Sequence, residues 1–553
     1  MVRRLVSPRG LQTDDRTGAS TRTGLAIALC LALAPPPAQA LEPAPPDPAP
    51  AEPAPGDPAD CVPASDDCFV LMALTVDGVT AYPMKEIAPF YADYLTREVS
   101  MADLVRIAQA ITDKYRADGY FLARAVVPPQ SGPRGVVRLS VYEGYIGEVQ
   151  VDGPAAGAVD ALLTGVMDAR PLKLADLDRR LTLATDRPGL RLKTHLEPVI
   201  DDPAQHRLVV YADRQRLAPS LYADNRGTES AGPWQLYGRL AANSALVAGD
   251  QLAVSVLTIP EDPEEFTQGE VAYLYPLATG GSLGVRASAA RARDASANLG
   301  QVVGNENQFA SLRWSHPLAR GRKHAVWGAL AFDASRIQQD WGAAGGYEDN
   351  LRVLRASVFA TRQDDGRSLT GFAQLSRGLD ILGASDAPGR TRSRWDADGQ
   401  FWKVNLHGSH YRDLGRRAGL YVQADAQWSP DTLLAAEEFA AGALPYGRAY
   451  NYAEIAGEKG AGALVELRYG WDPKPQAVSF LQLYGFADTA KVWRKDAFPG
   501  FKSAALASAG GGVRVTFQRR ATLRLEAARP LTRTPYVTDD KDWRLFTSLT
   551  AAF

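Results

Sequence analysis

From about residue 213 to the end of the chain, apolar and polar positions alternate in short runs separated by Gly, Asp, Asn and Pro turns, the two-residue period of a β-strand. Ala463, Val465, Leu467, Tyr469 and Trp471 alternate with Leu464, Glu466, Arg468 and Gly470. Leu420, Val422, Ala424, Ala426 and Trp428 alternate with Tyr421, Gln423, Asp425 and Gln427. Runs of about ten residues that stay polar on one face in the middle of the series fit a wet lumen and a lipid-facing exterior better than the dry core of a soluble sandwich. About sixteen such runs lie between Leu221 and Phe553, an even number as bacterial single-chain barrels have. In the last run Trp543, Leu545, Thr547, Leu549, Ala551 and Phe553 share one face, as expected of a closing strand that stops on an aromatic residue. The predicted fold class is a membrane all-β protein, a 16-stranded antiparallel transmembrane β-barrel over 213–553.

Ahead of the barrel the period changes. A buried strand is predicted at 69–76, closed by Asp77-Gly78. Leu104, Ile107, Ala108, Ile111 and Tyr115 then recur at helical spacing over 101–118, with Ser100 and Asp103 placed to cap the start. Strands follow at 120–127 and 135–142. The same order returns more faintly: a strand at 145–151, helices at 158–167 and 174–185, and strands at 190–196 and 207–212. The chain therefore reads as two α+β modules, 69–146 and 147–212, in front of the barrel. Neither module carries a catalytic constellation.

At the front, Arg3, Arg4 and Arg22 precede the apolar run from Leu25 to Ala34, which ends in Ala38-Gln39-Ala40. This predicts a secretory signal peptide over 1–40; Leu29 before Cys30 argues against a lipoprotein signal. Residues 41–68 form a Pro-rich linker, extended and unable to bury a core. No later segment has the roughly 18 consecutive apolar residues of a membrane-spanning helix. Cys61 and Cys68 remain in the exported chain, and an oxidising compartment would let them pair or leave them as two free thiols. A net charge of -2 gives no broad basic surface, which removes nucleic acid as a partner. Six His and five Met leave little material for a metal site. No cofactor is predicted, and no Gly-x-x-x-x-Gly-Lys-Ser/Thr loop is present for ATP.

Three groups of motifs then narrow the reading. In the first module they are Gly119-Tyr120, the run Arg124-Ala125-Val126-Val127-Pro128-Pro129-Gln130, and Glu143-Gly144; in the second they are Leu177-Asp178-Arg179-Arg180-Leu181 and Asp186-Arg187-Pro188-Gly189. In the barrel they are Gly447-Arg448-Ala449-Tyr450 and Phe486-Ala487-Asp488-Thr489-Ala490. Over nearly the whole exported chain this pattern resembles the two-partner secretion transporters, the haemolysin secretion/activation family, relatives of the BamA-type superfamily. Ala449 and Ala490 stand where that family usually has Gly, and an Ala at the loop tip is expected to alter its shape. The resemblance implies two periplasmic POTRA domains and an outer-membrane barrel. It implies as partner a large secreted exoprotein of adhesin or cytolysin type with an N-terminal secretion domain. It further implies that Arg448, on a loop folded back into the barrel, forms an ion pair with Asp488 on the wall. Many relatives carry a plug helix at the front, which the Pro-rich stretch after Ala40 disfavours here.

The expected function is protein export without enzymatic chemistry. One alternative is a BamA-type assembly factor that inserts other barrels, against which the two modules and their signatures argue. A lesser alternative is a barrel hydrolase using His407 with Ser409, or His410, for which no orienting acid is evident in the sequence. Gly510-Gly511-Gly512 is read as a bend in a strand rather than a phosphate cradle.

Overall fold

In a computed structural model of the chain, Ser100 starts the first helix with a reciprocal cap: its hydroxyl accepts the Asp103 N–H at 3.3 Å, and the Asp103 carboxylate accepts the Ser100 N–H at 2.9 Å. Residues 68–130, 135–227, 232–294, 303–342, 345–473, 477–495 and 501–553 are described. The predicted signal peptide, the linker up to residue 67, any plug helix there and Cys61 lie outside them; Cys68 is disulfide-bonded.

The helix Met101–Ala117 buries Leu104, Ile107, Ala108, Ile111 and Tyr115, the face its periodicity marks, in one core with Leu74, Val76, Leu139 and Val141. Those strand residues belong to a three-stranded sheet in which Val136–Tyr142 lies between Ala73–Asp77, parallel to it, and Arg124–Val126, antiparallel. The run predicted as one strand at 69–76 is broken at Leu71 and Met72. Met72 and Ala73 both donate to the Gly135 carbonyl, which bends the chain, and Phe69–Val70 pairs instead with Glu98–Val99. The strand predicted at 120–127 shortens to Arg124–Val126, because Tyr120 and Ala123 donate into tight turns and Phe121 and Leu122 pack on the second module.

The second module repeats the sheet, with Asp202–Arg214 between a parallel Tyr145–Asp152 and an antiparallel Leu190–Val199. Its helix Leu174–Thr185 has the predicted limits. The helix predicted at 158–167 is instead a series of short turns, Ala156–Ala158, Asp160–Leu163 and Thr164–Asp168. Val159, Leu162, Leu163 and Val166 are buried at helical spacing, but Gly157, Gly165 and the β-branched Val159, Thr164 and Val166 are weak helix formers. Gly119 (φ +93°) and Gly189 (φ +70°) follow the two long helices in left-handed backbone, as their positions require.

Sixteen antiparallel strands, from Leu217–Asp224 to Arg544–Ala552, form a closed barrel. Alternation divides each strand: Leu240, Val254, Leu312, Leu354 and Leu483 are exposed on the outside, and Trp402, Trp428 and Trp493 add aromatic side chains at strand ends. Trp543, Leu545, Leu549 and Phe553 of the last strand and its end share that exposure, whereas Ala551 is covered. The barrel closes where Ser548–Ala552 pairs with Ser220–Asp224, a seam of five residue pairs, the shortest in the barrel among the described residues. Asn225 lengthens it by imitating backbone: its side chain donates to the Leu545 carbonyl at 3.1 Å and accepts the Thr547 N–H at 2.7 Å. Module two sits against the near end of the barrel, where Arg320 grips Asp186 at 2.7 and 2.8 Å, Arg322 meets Asp178 at 2.8 Å, and Arg187 donates to the Leu277 carbonyl.

Candidate functional site: a loop folded into the lumen

Residues 429–458 connect the strands Ala418–Trp428 and Lys459–Trp471 at the far end of the barrel. The loop forms a short hairpin, Phe439–Ala441 with Ile455–Gly457, and its tip packs inside the barrel. Tyr446, Ala449 and Tyr450 share a buried apolar cluster with Leu464, Phe486, Ala490 and Leu506 of the wall. Such burial releases water from both surfaces and holds the loop without directional bonds. The Tyr446 hydroxyl hydrogen-bonds to Asp425, and Tyr450 donates to the carbonyls of Ala507 and Arg533 at 3.1 and 3.2 Å.

Charge then fixes the tip. Asp488 accepts the backbone N–H of Gly447 at 2.6 Å and, at 3.5 Å, that of Arg448, while the Ser508 hydroxyl donates to the same carboxylate at 2.8 Å. The Arg448 side chain, 6% exposed, places Nη1 3.2 Å from Glu466 and 3.1 Å from Glu526, with its guanidinium 4.3 Å from the centre of the Phe486 ring. Each glutamate has further partners. Arg468 and Arg514 reach Glu466 at 2.6 and 2.8 Å, while Arg226, Arg524 and the Tyr484 hydroxyl bind Glu526. Arg226 also donates to the Arg448 carbonyl at 3.0 Å and packs over Phe546 of the closing strand at 3.8 Å. Five arginines thus converge on Glu466 and Glu526.

The structure places Arg448, Gly447, Tyr450, Phe486 and Asp488 together at the loop tip, and corrects the expected Arg448–Asp488 ion pair: the Arg448 side chain pairs with Glu466 and Glu526 instead. Strand register gives the reason: Asp488 lies opposite Leu464 and Ser508, whereas Phe486 lies opposite Glu466 and Gly510, one inward-facing position along. The long Arg448 side chain reaches that next position, leaving its backbone beside Asp488. Room for the ring there comes from the glycine run: a Cβ on Gly512 would lie 2.7 Å from the Tyr484 hydroxyl, and one on Gly510 2.9 Å from the Phe486 ring. Ala449 and Ala490 are buried and lie outside the left-handed region, so alanine costs no backbone strain at either.

A second anchor, at the base of the loop, had no counterpart in the sequence reading. Glu437 is buried in the turn Ala435–Glu437 and binds Arg355 at 2.7 Å and Lys403; Asp333 holds Arg355 from the other side at 2.7 Å. The adjacent Glu438 pairs with Arg394 at 2.6 Å, and Arg394 with Glu458 at 3.0 Å. The only cue available was an acid or base on the polar face of an alternating strand, as for Glu466, Arg468, Arg524 and Glu526.

His407, considered for hydrolysis, does have an acid beside it: Nδ1 is 2.8 Å from Asp425. That acid also binds Tyr446 of the loop, and among the described residues no hydrogen bond joins His407 to Ser409. His410 contacts the Ser368 carbonyl.

The module signatures prove to be joints. The Glu143 carboxylate accepts the N–H groups of Thr80 and Ala81, both at 2.8 Å, and the hydroxyls of Thr80 and Tyr115. Burial raises its pKa, but these hydrogen bonds outweigh burial and hold it below the usual value. Tyr120 packs edge-on to Tyr115 at 5.8 Å, and the carbonyls of Gly119 and Gly144 accept from Leu174 and Leu172 of module two at 2.9 and 3.0 Å. The Gln130 side chain exchanges hydrogen bonds with the Arg138 backbone at 2.9 and 3.1 Å, extending the sheet ladder beyond the exposed Pro129. Gly189, after Pro188, accepts from Gln215 at 2.9 Å where module two meets the barrel.

Comparison with known proteins agrees with this architecture. The profile of the POTRA domain, ShlB-type, matches residues 69–144, and that of the haemolysin secretion/activation protein ShlB/FhaC/HecB matches residues 208–515. The outer membrane transporter CdiB of Escherichia coli O6:K15:H31 (strain 536 / UPEC) is 24% identical over 410 residues, covering 71% of this chain and 68% of that protein. The heme/hemopexin transporter protein HuxB of Haemophilus influenzae (strain 86-028NP) is 26% identical over 177 residues, so the match spans 31% of its length and 31% of this chain. Among solved structures, CdiB from Escherichia coli has a similar fold, with a TM-score of 0.71, 21% identity and coverage of 89% of this chain and 92% of that one. BamA from Haemophilus ducreyi lacking POTRA domains 1-3 has a TM-score of 0.51 at 13% identity, covering 88% of this chain and 100% of that one. With the ShlB/FhaC/HecB profile spanning more than half of the chain, this protein belongs to the haemolysin secretion/activation family.

Proposed function

We propose that this protein is an outer-membrane translocator that captures an unfolded exoprotein through two periplasmic POTRA modules and secretes it through the barrel. The observation that carries the reading is the occupied lumen: loop 429–458 fills the path that a chain would take and is held there by side-chain pairs. Ionic and hydrogen-bonded anchors on a closed strand ladder can be exchanged without unfolding the wall, and that is what a gate requires. The partner on this reading is a large exoprotein of adhesin or cytolysin type with an N-terminal secretion domain, joining a sheet edge of the modules as an added strand. Residues 69–146 and 147–212 are the two POTRA modules, 213–553 is the barrel, and 1–40 is removed on export. In this scheme Arg448 and Asp488 set the resting position of the gate, and Trp543, Leu545, Leu549 and Phe553 face lipid on the closing strand.

The decisive experiment pairs the full chain with its exoprotein in cells. Arg448→Ala is expected to leave heat-modifiable barrel in the outer membrane while secretion falls sharply. Undiminished secretion by that variant overturns the gating role, and absence of barrel from the outer membrane overturns the reading as a whole.

A further inference from the structure

At the near end of the seam, Arg191, Arg214 and Arg520 converge with Asp213, Gln215 and Phe553 around an open cavity of about 540 Å³. The arginines come from separate elements: Arg191 and Arg214 from module two, and Arg520 from the turn between the strands Ser503–Phe517 and Ala521–Pro530. Among the described residues none of the three forms an ion pair. Arg191 donates to the Gln215 side chain at 3.3 Å, and the Arg214 Nε is buried with no hydrogen-bond partner. Asp213 is the one acidic side chain among the residues that line the cavity, against three arginines.

The strands that rise from this cavity are greasy on the outside. Leu217, Leu221, Leu525 and Leu549 are exposed there, and Phe517 and Phe553 are exposed at the strand ends. A cationic hollow continuous with an apolar wall, at the level where the strands leave the membrane, fits one kind of molecule: an anionic head on apolar chains. We propose that this cavity binds the phosphodiester headgroup of an anionic phospholipid of the periplasmic leaflet, with its acyl chains along Leu221, Leu525 and Leu549. Arginine suits the role because its planar fork donates two parallel hydrogen bonds to phosphate oxygens. The bound lipid joins module two to the last near-end turn of the barrel, beside the shortest strand pairing, and so braces the seam. The inference rests on the membrane placement of the barrel and not on export.

The test uses the full chain in neutral detergent, titrated by native mass spectrometry with phosphatidylglycerol or phosphatidylcholine of identical acyl chains. With each arginine near a membrane surface contributing about fivefold, phosphatidylglycerol is expected to bind at least about tenfold more tightly. Arg520→Gln should lower that preference by about fivefold, and the combined Arg191→Gln, Arg214→Gln, Arg520→Gln variant should abolish it. Asp213→Asn should increase it, a gain that a misfolded chain cannot produce. Equal binding of the two lipids by the native chain overturns the proposal, as does a preference unchanged in both Arg520→Gln and Asp213→Asn. Displacement of phosphatidylglycerol by millimolar inorganic phosphate would also overturn it, since the site would then be one for free anions.

Discussion

Asp488 holds the loop by the backbone N–H of Gly447, at 2.6 Å, while the neighbouring Arg448 side chain passes it and ends between Glu466 and Glu526. The tip is therefore fastened twice, its backbone by one carboxylate and its side chain by two others.

This separation predicts the outcome of a charge exchange. Asp488→Ala strands the Gly447 N–H and the Ser508 hydroxyl, at a cost of about 1–3 kcal/mol for the unsatisfied donor, and should raise single-channel conductance in planar bilayers while lowering secretion. Asp488→Asn retains an acceptor and should lie between Ala and the native chain. The double exchange Arg448→Asp with Asp488→Arg is expected to restore nothing, because the two charges do not face each other. Recovery of secretion by that pair would contradict the geometry.

Arg448 and Glu526 should differ in what they do to the barrel. Without Arg448, Glu466 keeps Arg468 and Arg514, and Glu526 keeps Arg226 and Arg524. Without Glu526, three arginines lose their shared anion in a buried site, where an uncompensated charge costs about 3–5 kcal/mol at most. Glu526→Ala should therefore lower the temperature at which the heat-modifiable band converts, and Arg448→Ala should move it much less. Equal shifts would show that the network is not organised around the glutamate.

Glu437 tests the anchor at the loop base. Glu437→Gln leaves Arg355 with Asp333 alone and Lys403 without a carboxylate, so the buried turn Ala435–Glu437 should loosen from the wall. Conductance should rise even with Arg448 intact, and combining the substitution with Arg448→Ala should raise it further. A closed channel in the single variant would mean that the tip alone holds the loop.

Glu143 links pH to the first module. Its carboxyl is held below the usual value by the hydrogen bonds from Thr80, Ala81 and Tyr115, so the stability it contributes is fully present above about pH 4.3. That contribution is lost as pH falls further, through the lowered value of the folded state. Protection of Met101–Ala117 against hydrogen exchange, taken relative to the intrinsic rate at each pH, should fall over that acid range in the native chain and depend less on pH in Glu143→Gln. Identical pH profiles would remove Glu143 from the joint.

What the sequence determined by itself is the longer elements with a short period, while the weaker signals at 69–76, 120–127 and 158–167 were reshaped by their neighbours. Alternation at every second residue marks the barrel strands, apolar positions three and four apart mark Met101–Ala117 and Leu174–Thr185, and Ser100 with Asp103 marks where the first helix starts. These signals are local because the backbone repeat that produces them is local. The motifs around Arg448 and Asp488 likewise indicated that a loop and a wall strand meet. Which atoms meet was decided by tertiary structure, since strand register sets Asp488 opposite Ser508 and Glu466 opposite Phe486, and a shift of one residue would turn each side chain to the other face. Glu437 finds Arg355 across 82 residues of chain, and Arg226 finds Glu526 across 300, so no spacing in the sequence could announce either pair. Closing the barrel makes distant strands neighbours and encloses their charges together, and only that closure turns scattered acids and arginines into the two anchors of the loop.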